Sequence, residues 1–82
     1  MNKLAEILKQ EGLSLPNLPP GYRWWEDGGV IVLLGHGDYE VGYLEDRGGK
    51  WFASNPEDGM FINRGRSTAY EAAKDLLRWK DS

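Results

Sequence analysis

The run Val30–Leu34, VIVLL, is apolar at every position and is fenced by EDGG before it and GHGD after it. It has the length of a strand and is too short for a self-supporting helix. Side chains alternate between the two faces of a strand, so one that is apolar throughout is covered on both sides and lies inside a sheet. Asp27-Gly28 ahead of it is a strong hairpin signal, and Tyr22-Arg23-Trp24-Trp25 supplies the strand on the other side of that hairpin. This one run therefore dictates an antiparallel sheet.

The same grammar continues. YEVGYL follows GHGD, and KWFA follows EDRGG, so strands rich in β-branched and aromatic residues alternate with acidic, glycine-rich turns. On the third strand Tyr39, Val41 and Tyr43 are expected on one face, and Glu40, Gly42 and Leu44 on the other. NPEDG, residues 55–59, is a further turn, and Met60–Ile62 a short extended piece. The last segment is a helix: Thr68 and Glu71 form a capping box, and Ala69, Ala72, Ala73, Leu76 and Leu77 make an apolar stripe that Tyr70 and Trp79 broaden. Its small alanines allow close approach to the sheet.

The N-terminal part reads differently. Leu4, Ile7 and Leu8 have helical spacing, and Gly12 followed by Leu13 suits a Schellman stop. Pro16, Pro19 and Pro20 then forbid a helix, and the alternation of Leu13, Leu15 and Leu18 predicts a strap laid across the domain. The expected architecture is α+β: an antiparallel three- to four-stranded sheet, a C-terminal helix packed on one face and a short N-terminal helix. Residues 1–12 form that first helix, 13–21 the proline-rich strap and 22–82 the sheet-plus-helix unit of one globular domain.

A domain of 82 residues has a small core and needs extra support. The absence of cysteine removes disulfides, thiolate metal sites and thiol nucleophiles, and a single histidine makes zinc ligation unfavourable. No cofactor or metal is expected. Ten aromatic residues are the remaining source of stability. No apolar run approaches the roughly 20 residues that cross a bilayer, and no secretion signal is visible, so the expectation is a cytoplasmic protein without membrane contact. His36 beside Asp38 suggests a base and its orienting partner, but no nucleophile accompanies them and EDRGGK lacks the P-loop spacer. No catalytic residue is assigned.

Charge divides the chain. Residues 22–62 hold eight acids against three bases, whereas residues 63–82 hold five bases against three acids, within a net charge of −3. The acidic turns, through Asp38, Glu40, Glu45 and Asp46, together with Trp25 and Trp51, are the candidate protein-binding surface, suited to a host or defence protein with a basic surface. Trp24-Trp25 and Trp51-Phe52 each send one ring to either side of the sheet, which one helix cannot cover. Either the first helix and strap cover the second face, or a homodimer or protein partner covers part of it. The alternative is an anion or nucleic-acid site built from Arg64 and Arg66 around Gly65, with Ser67 and Thr68 at the helix start and Lys74, Arg78 and Lys80 further along.

Two resemblances follow from these segments. The order of strands before a helix opened by Thr68, Glu71 and Ala72 resembles the N-terminal DNA-binding module of phage-type tyrosine recombinases, where a T-x-x-E-A segment opens the helix after a three-stranded sheet. It covers about a quarter of the chain, and the acidic strands depart from that family's basic sheet face. In size, acidity and lack of cysteine the chain also resembles small accessory proteins of phages and prophages, anti-CRISPR inhibitors among them. That resemblance implies inhibition or regulation of a host protein.

Overall fold

The computed structural model describes residues 8, 9 and 12–82. Four strands, β1 (Arg23–Asp27), β2 (Val30–Leu34), β3 (Glu40–Arg47) and β4 (Lys50–Ser54), form one antiparallel sheet in the order β1-β2-β3-β4, and α1 (Ala69–Lys80) follows. The α+β architecture is as the sequence predicts, with β2 an interior strand. The N-terminal helix expected over residues 1–12 falls mainly outside the described residues. Leu8 and Lys9 are helical, and the exit from them is described. Leu13 N–H donates to Leu8 O at 2.8 Å, Gly12 N–H to Lys9 O at 3.4 Å, and Gly12 sits at φ 64°, the pattern of a Schellman stop.

α1 is seated by small residues on both sides of the contact. Ala69, Ala72, Ala73 and Leu76 are buried on the helix, against Leu44, Trp51 and Ala53 on the sheet. Gly42 makes the close approach, because a Cβ there would stand 2.3 Å from Leu76 Cδ1. Leu44 and Leu76 are fully buried; burial of such a side chain stabilises by about 1.5–3 kcal/mol. Thr68 caps the helix by accepting from Glu71 N–H.

The helix lies over β3 and β4. The other half of the same face is covered by the strap: Leu13, Leu15 and Leu18 pack on this core beside Trp24, whose Nε1 donates to Pro16 O at 3.2 Å. The strap therefore shares the helix face, and the expectation that it covers the second face is corrected. Only so large a helix-side surface, running from Trp24 across to Trp51, needs both covers.

A register shift between Leu33 and Leu34 corrects a second expectation. Leu33 pairs with Gly42 but Leu34 pairs with Glu40, so Val41 is the extra residue of a bulge. Val41 turns to the helix-side core, and Glu40 joins Tyr43 on the outer face, where the Tyr43 hydroxyl donates to the Glu40 carboxylate.

After β4 the chain doubles back and satisfies the strand's outer edge. Asn55 N–H donates to Met60 O, Ile62 N–H to Ala53 O, and Trp51 and Arg66 exchange both backbone bonds at 2.7 and 2.8 Å. Where the returning chain bulges away, Asn63 Oδ1 substitutes for a carbonyl and accepts from Ala53 N–H at 3.2 Å. Residues 60–66, including the expected extended piece, thus act as an irregular fifth strand.

Because Leu76 occupies the space over Gly42, G42A is expected to destabilise by about 1–3 kcal/mol through overpacking. L76A should cost about 2–5 kcal/mol in the wild-type background and clearly less in G42A, where part of its cavity is filled. Urea denaturation of the four proteins checks this; strict additivity would contradict the contact.

Candidate functional site

Two surfaces gather chemistry. The first is the outer face of the sheet, opposite α1. Trp25, Val32 and Tyr43 are cross-strand neighbours, and Glu45 stands beside Phe52. Phe61, 42% exposed, stacks on Phe52 with ring centroids 4.5 Å apart and planes inclined by 29°. Arg23 lies over the Trp25 ring at 5.1 Å and Arg47 over Phe61 at 5.2 Å. Among the described residues no helix lies on this face.

The expected acidic surface is arranged otherwise than the sequence implied. The chain meanders, so the turns holding Glu26-Asp27 and Glu45-Asp46 lie at one end of the sheet, and those holding Asp38-Glu40 and Glu57-Asp58 at the other. Most of these groups have local work. Glu26 and Asp46 accept from the N–H groups of Gly29 and Gly49, Asp58 accepts from Met60 N–H, Asp38 pairs with Arg23 at 2.8 Å and Glu45 with Arg47 at 3.3 Å. Trp51 does not belong to a binding surface: at 8% exposure it is core, held under α1 and bridged to Arg66. Trp25 is half-buried on the outer face. Phe61 and Tyr43, which sequence reasoning passed over, are there instead. For Phe61 no sequence signal exists, because only the return of the chain along β4 brings it to Phe52.

The second surface is a groove of about 560 Å³ between the 62–66 loop and the last turns of α1. Arg64, Arg66, Arg78, Trp79 and Ser82 line it, with Asp75 at its base. Asp75, whose side chain is 16% exposed, is the hub: Oδ1 accepts from Arg78 at 2.9 Å and Oδ2 from Asn63 Nδ2 at 3.1 Å. Arg66 Nε stands 2.9 Å from Oδ2. Its N–H is not aligned with that oxygen, so the contact is an ion pair rather than a hydrogen bond. Arg64 is exposed and has no ion-pair partner among the described residues.

The anion site expected at the start of α1 is corrected here. Ser67 and Thr68 hydroxyls both donate to Glu71 Oε1, at 2.9 and 3.1 Å, so a carboxylate already occupies the positive end of the helix. The arginines turn the other way, to Arg78. Lys74 stands apart, over the Tyr70 ring at 6.0 Å. Asp75 and Arg78, three residues apart on a helix, were a readable pair; the contacts of Asp75 with Asn63 and Arg66 were not.

His36 is exposed and meets the Tyr22 ring edge-on at 5.7 Å, while Asp38 is engaged with Arg23. Lys80 closes the same corner, over Tyr22 at 4.6 Å and paired with Asp81 at 2.6 Å. Among the described residues, hydrogen bonding raises Tyr39 through Tyr22, Tyr43 through Glu40 and Lys80 through Asp81 above their ordinary values.

No protein-family model, curated protein or solved structure matches this chain. No helix among the described residues is long and apolar enough to cross a membrane.

Two outcomes follow from this geometry. D75A should destabilise by about 2 kcal/mol, since it strands Asn63 and two guanidinium groups, whereas R64A should change stability by less than about 0.5 kcal/mol; thermal and urea unfolding of both variants measure the difference. Tyr39, Tyr43 and Lys80 each hold their protonated forms more firmly when folded. Their contribution is complete below the unfolded-state values of about 10 and is lost as pH rises through the raised folded values. Stability should therefore fall in that alkaline window, and Y43F should flatten part of the fall in urea titrations across it.

Proposed function

We propose that this chain is a non-catalytic protein-binding module that docks through the outer face of its sheet, as an inhibitor or regulator of the kind phage accessory proteins supply. The observation that carries the reading is the group of rings formed by Trp25, Tyr43, Phe52 and Phe61, which lies where no described helix covers the sheet. Aromatic residues at the centre of a patch with charges at its rim are the usual anatomy of a protein interface. The rim also indicates the partner. Arg23 and Arg47 are paired with Asp38 and Glu45, which leaves Asp27 and the Tyr43-bound Glu40 as surplus negative charge. A host or defence protein with an apolar patch bordered by lysine and arginine fits this surface.

Trp25 and Phe61 can be changed to serine with little disturbance of the helix-side core, because both belong to the opposite face. Pull-down from host lysate treated with nuclease should retain a protein with the wild-type chain and with R64A/R66A. The W25S/F61S variant should weaken that retention by about thirtyfold or more, the scale of an aromatic hot spot. Sedimentation equilibrium and acrylamide quenching supply the contrary outcomes. A dimer broken by F61S would assign the face to a second copy. A monomer whose Trp25 is shielded until residues 1–7 are deleted would assign it to the chain itself.

A further inference from the structure

We infer that the groove between the 62–66 loop and α1 binds single-stranded nucleic acid, taking phosphates on Arg64 and Arg78 and a base on Trp79. The site is separate from the sheet face proposed above, and neither reading depends on the other.

Three arginines line the groove and, among the described residues, Asp75 is the one acidic side chain in that lining. That carboxylate orients rather than cancels them. It holds Arg66 at 2.9 Å and one terminal nitrogen of Arg78 at 2.9 Å, while the Arg78 side chain remains 72% exposed and keeps further N–H donors toward solvent. Arg64 adds a charge with no intramolecular partner among the described residues. Planar forks of this kind accept phosphate oxygens in pairs.

The indole decides the class of anion. Trp79 is 37% exposed and lines the same groove, which brings an aromatic residue next to the phosphate-binding groups. Aromatic stacking next to arginine is the recurring arrangement for single strands, whose bases are free to leave one another, whereas free phosphate or a carboxylate side chain would leave the indole without a stacking partner. The carbonyl ends of α1 do not repel a ligand strongly here. Asp81 and Ser82 N–H groups and the Ser82 hydroxyl donate to the carbonyls of Arg78 and Trp79. Elsewhere the surface is acidic, which repels duplex DNA laid along the sheet and confines binding to this local patch of opposite sign.

Fluorescence polarisation with a labelled thymidine oligonucleotide of about eight nucleotides tests the proposal on the full chain. Two phosphate contacts on a single strand give a slope of about −1.4 in log K against log salt, so affinity should fall about sevenfold from about 50 to 200 mM salt. R64E leaves every intramolecular contact described here in place; it should reduce affinity at least tenfold and lower the slope. Binding should also quench tryptophan emission in the wild type, and that quenching should be lost in W79L, with its fold checked by circular dichroism. Absence of binding at low salt, equal affinity in R64E, or tighter binding of duplex DNA would overturn the inference. So would displacement of the strand by oligoglutamate or inorganic phosphate at equal concentration, which would assign the groove to an acidic peptide or a simple anion.

Discussion

The fit of Leu76 over Gly42 sets the distance between helix and sheet, and much else follows from that distance. Small residues at Ala53, Ala72 and Ala73 keep the layers close over β3 and β4, and a close helix cannot also shelter Trp24 on β1. The strap supplies the missing cover, with Pro16 offering a carbonyl to the Trp24 indole. Proline serves well there because an extended segment without its own backbone ladder can lie flat and present carbonyls to a neighbour.

The position of α1 also fixes the arginine loop. Asp75 reaches the loop only because the helix runs close beside β4, and Asn63 joins the two by bonding Ala53 N–H, Gly65 N–H and Asp75 together. A single amide side chain thereby closes a strand edge, shapes a loop and orients a carboxylate. The groove is thus a product of helix–sheet packing, with the loop sequence supplying only its charge.

Local signals in the sequence were sufficient wherever one element decides its own conformation. The uniformly apolar VIVLL, the Thr68–Glu71 cap and the Gly12-Leu13 stop each rest on groups within a few residues of one another, and each appears in the structure. Legibility failed where distant segments decide. The bulge at Val41 inverts the facing of Glu40, a change that strict alternation cannot foresee. Trp51 and Trp25 are alike in composition and neighbourhood, and only the side chosen by α1 makes one core and leaves the other at the surface. The arginines were visible as charges, but their convergence on Asp75 spans nine residues and a change of element. The ring of Phe61 reaches the sheet face by the same long-range return.

That return has a consequence for how sheets of this protein can meet. By bonding Trp51, Ala53 and Asn55 it occupies the backbone groups along the outer side of β4, so β1 is the regular strand left at a margin among the described residues, and the other margin is the irregular 60–66 segment. A sheet with two regular margins can add copies on both sides, whereas a regular margin such as β1 pairs most simply with its own copy, edge to edge about a twofold axis. Irregular pairing along 60–66 therefore offers a poorer template for a further strand than β1 does, and the two margins of the sheet differ in how readily they could extend it.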